Sequence, residues 1–301
     1  MTDPQAILPN FLIAGVPKAG TSSVHGWLAD HPDCVGSIEK ETYFLVDPGT
    51  HMHRPDSHIS GGLAGYAAHF PPVDQARIVM ESTPGYICSD TARRTLADMP
   101  GAPKVLFILR EPADQIYSLF RYFQNNWDWI PSDMTFSAFL AACRAGTHDF
   151  KGNELARDCL INAAYVDHLR AWQTAIGSGR MKVMLFDDLL ADQSAFLKSI
   201  CAWLEIEPSF FDDYAFPRAN ETYAPRSRGL QSLNIAIRNR LPKGAAYNAL
   251  RGLYRRLNTR APDAASDADD HALAQLRRDF EAANAQLAKA FDLDLSRWSD
   301  R

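Results

Sequence analysis

Lys18, Ala19, two glycines (Gly15 and Gly20) and the hydroxyls of Thr21, Ser22 and Ser23 share one short segment, directly after the apolar run Phe11–Ala14. Glycines let a chain curl back on itself, a lysine brings a positive charge, and the first turn of a helix offers backbone N–H groups with no intrahelical partner. Such a turn grips an anion. The loop of nucleotide kinases, G-x-x-x-x-G-K-S/T, sets its lysine after the second glycine and holds magnesium with the next hydroxyl. Here Lys18 precedes Gly20, and Thr21 stands at the kinase lysine position. The run Lys104–Leu109 (KVLFIL) ends in Arg110, with no aspartate for magnesium. This chemistry is a metal-free transfer to or from a phosphate-linked anion.

Arg110 opens a second candidate site. It lies at the carboxyl end of a strand-like run, where open α/β sheets bind ligands. Ser118 follows about two turns into the next helix. A guanidinium and a hydroxyl suit a phosphate monoester. An ion pair between Arg110 and Glu111 or Asp114 is the plainer use of the same arginine. Two anion sites on neighbouring strand ends suit a nucleoside phosphorylated at both ends.

The elements that must position these groups alternate. Strand signals fall at Phe11–Ala14, Arg77–Met80, Lys104–Leu109 and Met181–Phe186; helix signals fall at Thr21–Ala29, Ser89–Ala97, Pro112–Gln124, Asp158–Ile176 and Gln193–Leu204. That order predicts an α/β fold with a central parallel sheet flanked by helices. After Glu207 the pattern becomes irregular, then helical near Leu230–Arg238, Ala245–Leu257 and Asp269–Ala290, with a polar loop over Arg260–Asp270. No internal repeat is present.

Composition narrows the classes. The 301 residues are 46% hydrophobic and 22% charged, enough for a sizeable core. A formal net charge of -5 argues against a general nucleic-acid binder. The five cysteines are scattered, odd in number and without a C-x-x-C pair, which favours free thiols in a reducing compartment. The apolar run near the N-terminus is too short for a signal peptide or a membrane span. A cytoplasmic location is the expectation.

The stretch FLIAGVPKAGTSSVHGWLADHP resembles the 5′-phosphosulfate-binding motif of sulfotransferases, and LREPADQIYSLFRYF resembles their 3′-phosphate-binding motif. Cys201–Pro208 (CAWLEIEP), the terminal Leu-Ser-Arg-Trp and the spacing between the two motifs also look like that family, nearest its bacterial and heparan-sulfate-type members. The resemblance implies a three-layer P-loop NTPase-like fold. It implies one sulfotransferase domain over residues 1–301, with a nucleotide-binding core at 1–207 and a cofactor-closing loop and C-terminal helices at 208–301. The implied donor is 3′-phosphoadenosine-5′-phosphosulfate (PAPS), its product 3′,5′-adenosine bisphosphate (PAP), and no metal is required. The acceptor is a carbohydrate or small molecule, with hydroxyl and amine acceptors both open.

For the leaving charge the candidate is Lys18, assisted by Thr21, Ser22 and backbone N–H groups. For the general base it is Glu41, within Glu39–Phe44 (EKETYF), a segment similar to the Lys-Glu-x-x-Phe element of carbohydrate sulfotransferases. Lys40 would then stand near the transferred group. His31 and His25 are rival bases, and a solvated charge in a mixed run is the bland reading of Glu41. Glu81–Tyr86 resembles the family's Glu-Lys-x-x-x-Tyr stretch, with Ser82 in place of lysine, which argues for a neutral acceptor over a strongly acidic one. Thr83 and Tyr86 are candidates for the acceptor pocket, as are Trp127 and Trp129. Arg226 and Arg228 resemble the loop that closes over the nucleotide, and a solvated basic turn is their alternative. A magnesium-dependent kinase and a non-catalytic nucleotide-binding protein are the competing functions.

Overall fold

The computed structural model describes residues 7–72, 76–217, 224–227, 229–231, 234, 252, 254, 256–260 and 265–299. Five strands, β1 (Phe11–Gly15), β2 (Cys34–Gly36), β3 (Ile78–Glu81), β4 (Lys104–Leu109) and β5 (Met181–Leu185), form one parallel sheet in the order β2-β3-β1-β4-β5. β1 pairs with β3 on one side (Phe11 opposite Met80) and β4 on the other (Leu12 opposite Val105). These central strands carry continuous apolar runs because both faces are covered; Phe11 to Ala14 and Val105 to Leu109 are fully buried. β5 is an edge strand, so Met181–Val183 are only half-buried, against the fully buried strand its sequence predicts.

Helices flank the sheet: α1 (Thr21–Ala29), α2 (Leu63–Ala67), α3 (Asp90–Asp98), α4 (Pro112–Asn126), α5 (Phe136–Ala145), α6 (Glu154–Arg157), α7 (Cys159–Asn162), α8 (Tyr165–Ile176), α9 (Phe186–Ala191), α10 (Gln193–Leu204), α11 (Asp267–Phe291) and α12 (Ser296–Ser299). Local chemistry explains several boundaries. Glu111 caps α4 by accepting from the amides of Ala113 and Asp114, with Pro112 in the first turn. α11 starts two residues before its sequence prediction because Ser266 and Asp269 form a reciprocal capping box.

The long helix expected over Asp158–Ile176 is instead two, α7 and α8, separated at Ala163 and Ala164. Tyr165 then turns inward, and its hydroxyl donates to the Arg110 carbonyl at 3.0 Å. Phe186, expected in the strand, begins α9. β2 and a small antiparallel pair joining Ala224–Pro225 to Thr259–Arg260 have no clear sequence signal. The helices predicted near Leu230–Arg238 and Ala245–Leu257 lie largely outside the described residues.

Two distant contacts matter for the site. α11 packs against α4, α5 and α8, and its Arg277 pairs with Asp114 at 2.8 Å. The Trp298 indole donates to buried Asp187 at 2.9 Å, tying the chain's end to the start of α9. No described helix is long and apolar enough to cross a membrane.

Candidate active site

Chain order reverses between β1 and β4: from β1 the chain runs to β2 and β3 on one side, then crosses to β4 on the other. Crevices form at the carboxyl ends of strands at such a switch point. The turn after β1 and Arg110 after β4 meet there. Arg110 Nη1 donates to the Lys18 carbonyl at 3.0 Å, and Gln115 Nε2 donates to the Pro17 carbonyl at 3.0 Å. Lys18 itself adopts a left-handed backbone conformation, φ 69°, an uncommon state that surrounding contacts must hold.

Gly20, φ 77°, precedes α1 at the N-cap position, and the helix has no side-chain cap and no acidic residue in its first turn. This contrasts with α4 and α10, which Glu111 and Asp192 cap. A bound anion would supply the cap that the sequence of α1 omits. A Cβ on Gly20 would lie 2.7 Å from Leu189 of α9, so this turn and α9 demand glycine there.

A cavity of about 1470 Å3 opens over the turn. Lys18, Gly20, Thr21, Ser22, Ser23, Lys40, Glu41, Thr83, Arg110, Ser118 and Trp127 all line it. Three of the remaining sequence candidates sit elsewhere. Ala19 is fully buried, and its N–H is given to the Val16 carbonyl. Tyr86 is in the core, where its hydroxyl meets Thr42 Oγ1 and accepts from the Leu45 N–H. Arg226 is exposed, and its Nε donates to the Thr259 carbonyl at 3.1 Å. Arg228 lies outside the described residues. Thr83 is at the wall but fully buried, with its hydroxyl donated to Glu81.

Electrostatics distinguish the titratable groups. Burial, then repulsion from Arg110, lowers the Lys18 ammonium to about 8; it stays charged at neutral pH. Its Nζ lies 4.2 Å from the centroid of Tyr122. Glu41 Oε1 pairs with Lys40 Nζ at 2.7 Å, and its Oε2 accepts the Tyr43 hydroxyl. Both rival histidines are committed elsewhere. Burial, then Lys40, lowers the His25 ring to about 4, and its Nδ1 meets Ser82 at 3.0 Å; so weak a base is mismatched to neutral pH. His31 accepts from the Asp33 N–H and donates to the Glu207 carbonyl.

Sequence reading missed several wall residues. Tyr122 lies one turn beyond Ser118 on the same face of α4, a spacing that could have found it. Trp27, Phe186 and Leu189 also line the cavity, and Phe186 lies 5.2 Å from the Arg110 guanidinium. Glu81, the first residue of the Glu81–Tyr86 stretch, has no role of its own in the sequence reading. It is fully buried and accepts from Thr42 N–H, Thr42 Oγ1, Thr83 Oγ1 and the Tyr66 hydroxyl. Besides Lys18 and Arg110, the charged lining among the described residues is Glu39, Glu41, Asp47, Glu154 and Asp158 against Lys40, Arg54 and Arg157.

The sheet order, the turn after β1 and the strand-end arginine define an α/β protein with a cavity lined by cations and hydroxyls at the switch point of a parallel sheet. Residues 8–221 match the sulfotransferase domain family, and the chain belongs to it. Human bifunctional heparan sulfate N-deacetylase/N-sulfotransferase 2 is 27% identical over 203 residues, covering 67% of this chain and 22% of that protein. The Caenorhabditis briggsae bifunctional heparan sulfate N-deacetylase/N-sulfotransferase 1 is 25% identical over 214 residues, covering 67% and 23%. This chain therefore spans less than a quarter of the length of these curated relatives. A sulfotransferase structure from Alicyclobacillus acidocaldarius shares the fold, with a TM-score of 0.66 over 97% of this chain and 99% of that one at 19% identity.

Proposed function

We propose that this chain transfers a sulfuryl group from PAPS to a hydroxyl or amine of a carbohydrate or small-molecule acceptor. The Arg110–Lys18 hydrogen bond carries the reading, because it brings two anion-binding cations to one cavity wall. The donor set fits the nucleotide: cations and hydroxyls at two strand ends, and an α1 terminus free of carboxylates. The cavity exceeds the roughly 300–1,000 Å3 of an ordinary ligand site, which leaves space for an acceptor beside the nucleotide.

When bound, PAPS supplies the sulfuryl group and a phosphate leaving group. Lys18 and the first turn of α1 neutralise charge at the 5′ end, and Arg110 with Ser118 orients the 3′-phosphate. Glu41 takes the acceptor's proton. Tyr43 fixes one of its oxygens, and release of Lys40 toward the transferred group frees the other. A cytoplasmic location belongs to the same proposal, since all five cysteines are free thiols suited to a reducing compartment.

Thermal denaturation with PAP tests the donor site, and mass analysis of PAPS reactions tests transfer. Stabilisation by PAP without magnesium, with products gaining one sulfate, supports the function. Stabilisation only by ATP with magnesium would overturn it.

A further inference from the structure

We infer that Trp127, Trp129, His51 and Glu154 form the acceptor subsite, and that it takes an uncharged sugar ring in preference to a polyanionic glycan. This rests on reading the cavity as a sulfuryl-transfer site. All four residues line that cavity. The two indoles stack with centroids 4.7 Å apart and planes 2° from parallel, so each covers one face of the other and the stack presents only an outer indole face as a rigid apolar wall. Such a wall costs little conformational entropy to present to a ligand.

A polar pair stands directly against it. The His51 ring meets Trp129 edge-on, with centroids 5.0 Å apart. His51 Nδ1 and its backbone N–H both engage Glu154 Oε2, at 2.7 and 2.9 Å. Burial opposes ionisation of Glu154, but the bonds from His51 outweigh it and hold the carboxyl below its usual range. A sugar ring has a matching division of chemistry: its C–H face stacks on an indole while its hydroxyls both donate and accept. A carboxylate accepts, and an imidazole whose Nδ1 faces that carboxylate offers its other nitrogen. A simple phenol would use the wall and leave the polar pair unanswered, at a cost.

Charge decides against a polyanion. Among the described residues, with Lys18 and Arg110 set aside for the donor, five carboxylates face three cations around the cavity; Arg157 is already bidentate to Asp158 at 2.7 and 2.9 Å, and Lys40 is paired with Glu41. A uronate or sulfate entering here meets those carboxylates, and of the lining cations outside the donor site only Arg54, 5.8 Å from the Tyr43 ring centroid, is outside an ion pair among the described residues.

The test offers the full chain PAPS with chitotetraose and cellotetraose, both uncharged, a heparosan tetrasaccharide carrying uronates, and 4-nitrophenol. Products are weighed by mass spectrometry, and binding is followed by tryptophan fluorescence with PAP present. An uncharged tetrasaccharide should be sulfated preferentially and change the fluorescence. Trp127→Ala should raise its KM about tenfold while leaving PAP affinity unchanged, and His51→Ala should do the same. Preference for the heparosan tetrasaccharide or 4-nitrophenol, or an unchanged KM in Trp127→Ala, would overturn the subsite. Failure of PAP to bind overturns the donor reading and the subsite together; PAP binding with no uncharged sugar accepted overturns the subsite alone.

Discussion

The Arg110 guanidinium donates to the backbone carbonyl of Lys18 across 3.0 Å, so the cation that ends β4 also braces the loop that follows β1. In the proposed donor site this one side chain would serve ligand and scaffold alike. Arg110→Ala should weaken PAP binding about 10- to 100-fold, as expected for loss of a charge-assisted contact, and should lower turnover by loosening Lys18. Arg110→Lys keeps the charge without the planar fork and should recover little of either. Calorimetric titration with PAP, alongside single-turnover kinetics, separates the two effects.

Lys18 carries a pH signature. It titrates at about 8 in the folded chain and at 10.5 unperturbed, so between these values the unfolded chain holds more protons and stability rises with pH. Below about 8 the folded protein bears the full cost of a buried ammonium. Lys18→Met should therefore raise Tm at pH 7 by roughly 2–6 °C, with a smaller gain near pH 10, while abolishing turnover. PAP affinity in the wild type should fall as pH rises through 8, and Lys18→Arg should flatten that fall. A pH-independent PAP affinity would refute the assignment.

Glu41→Gln removes the proposed proton acceptor but keeps the size of the side chain. Turnover should drop about 10²- to 10⁴-fold with PAP affinity unaltered. Equal turnover in variant and wild type would transfer the base role to another group.

Glu81 fastens the Glu41 segment to the end of β3, since both Thr42 donors end on its Oε1. Burial raises its carboxyl from 4.5 to about 7 against the pull of those bonds. Its folded pKa is raised, so its stabilising contribution is full below 4.5 and is lost as pH rises through 7. Glu81→Gln, uncharged throughout, should gain in Tm relative to wild type between pH 5 and pH 8. Glu81→Ala strands four donors and should be destabilised at every pH. Melting curves of the three proteins across that range check the sign.

Much of the site was legible because its signals are local. The turn from Gly15 to Ser23 combines residue types whose backbone freedom, charge and hydroxyls act where they stand, and the strand ending at Arg110 is a continuous apolar run followed by a proline-started helix. The boundaries of α1, β4 and α10 fall where those signals place them. Tyr86 shows the limit. Its spacing from Glu81 resembles a pocket element, but packing beneath Leu45 turns its hydroxyl into the core. Arg226 is drawn to the Thr259 carbonyl, a partner with no mark in the surrounding sequence.

The sequence by itself determined the strand–helix alternation, the anion turn and the family. Only the tertiary structure decided that Tyr122 lies over Lys18, that Phe186 lies beside Arg110, that His25 and His31 are occupied away from the cavity, and that His51 meets Glu154. Helix caps and apolar runs depend on neighbours within a few residues. The direction a side chain faces depends on which distant element covers its other side, and that is set only when the whole sheet and its helices pack.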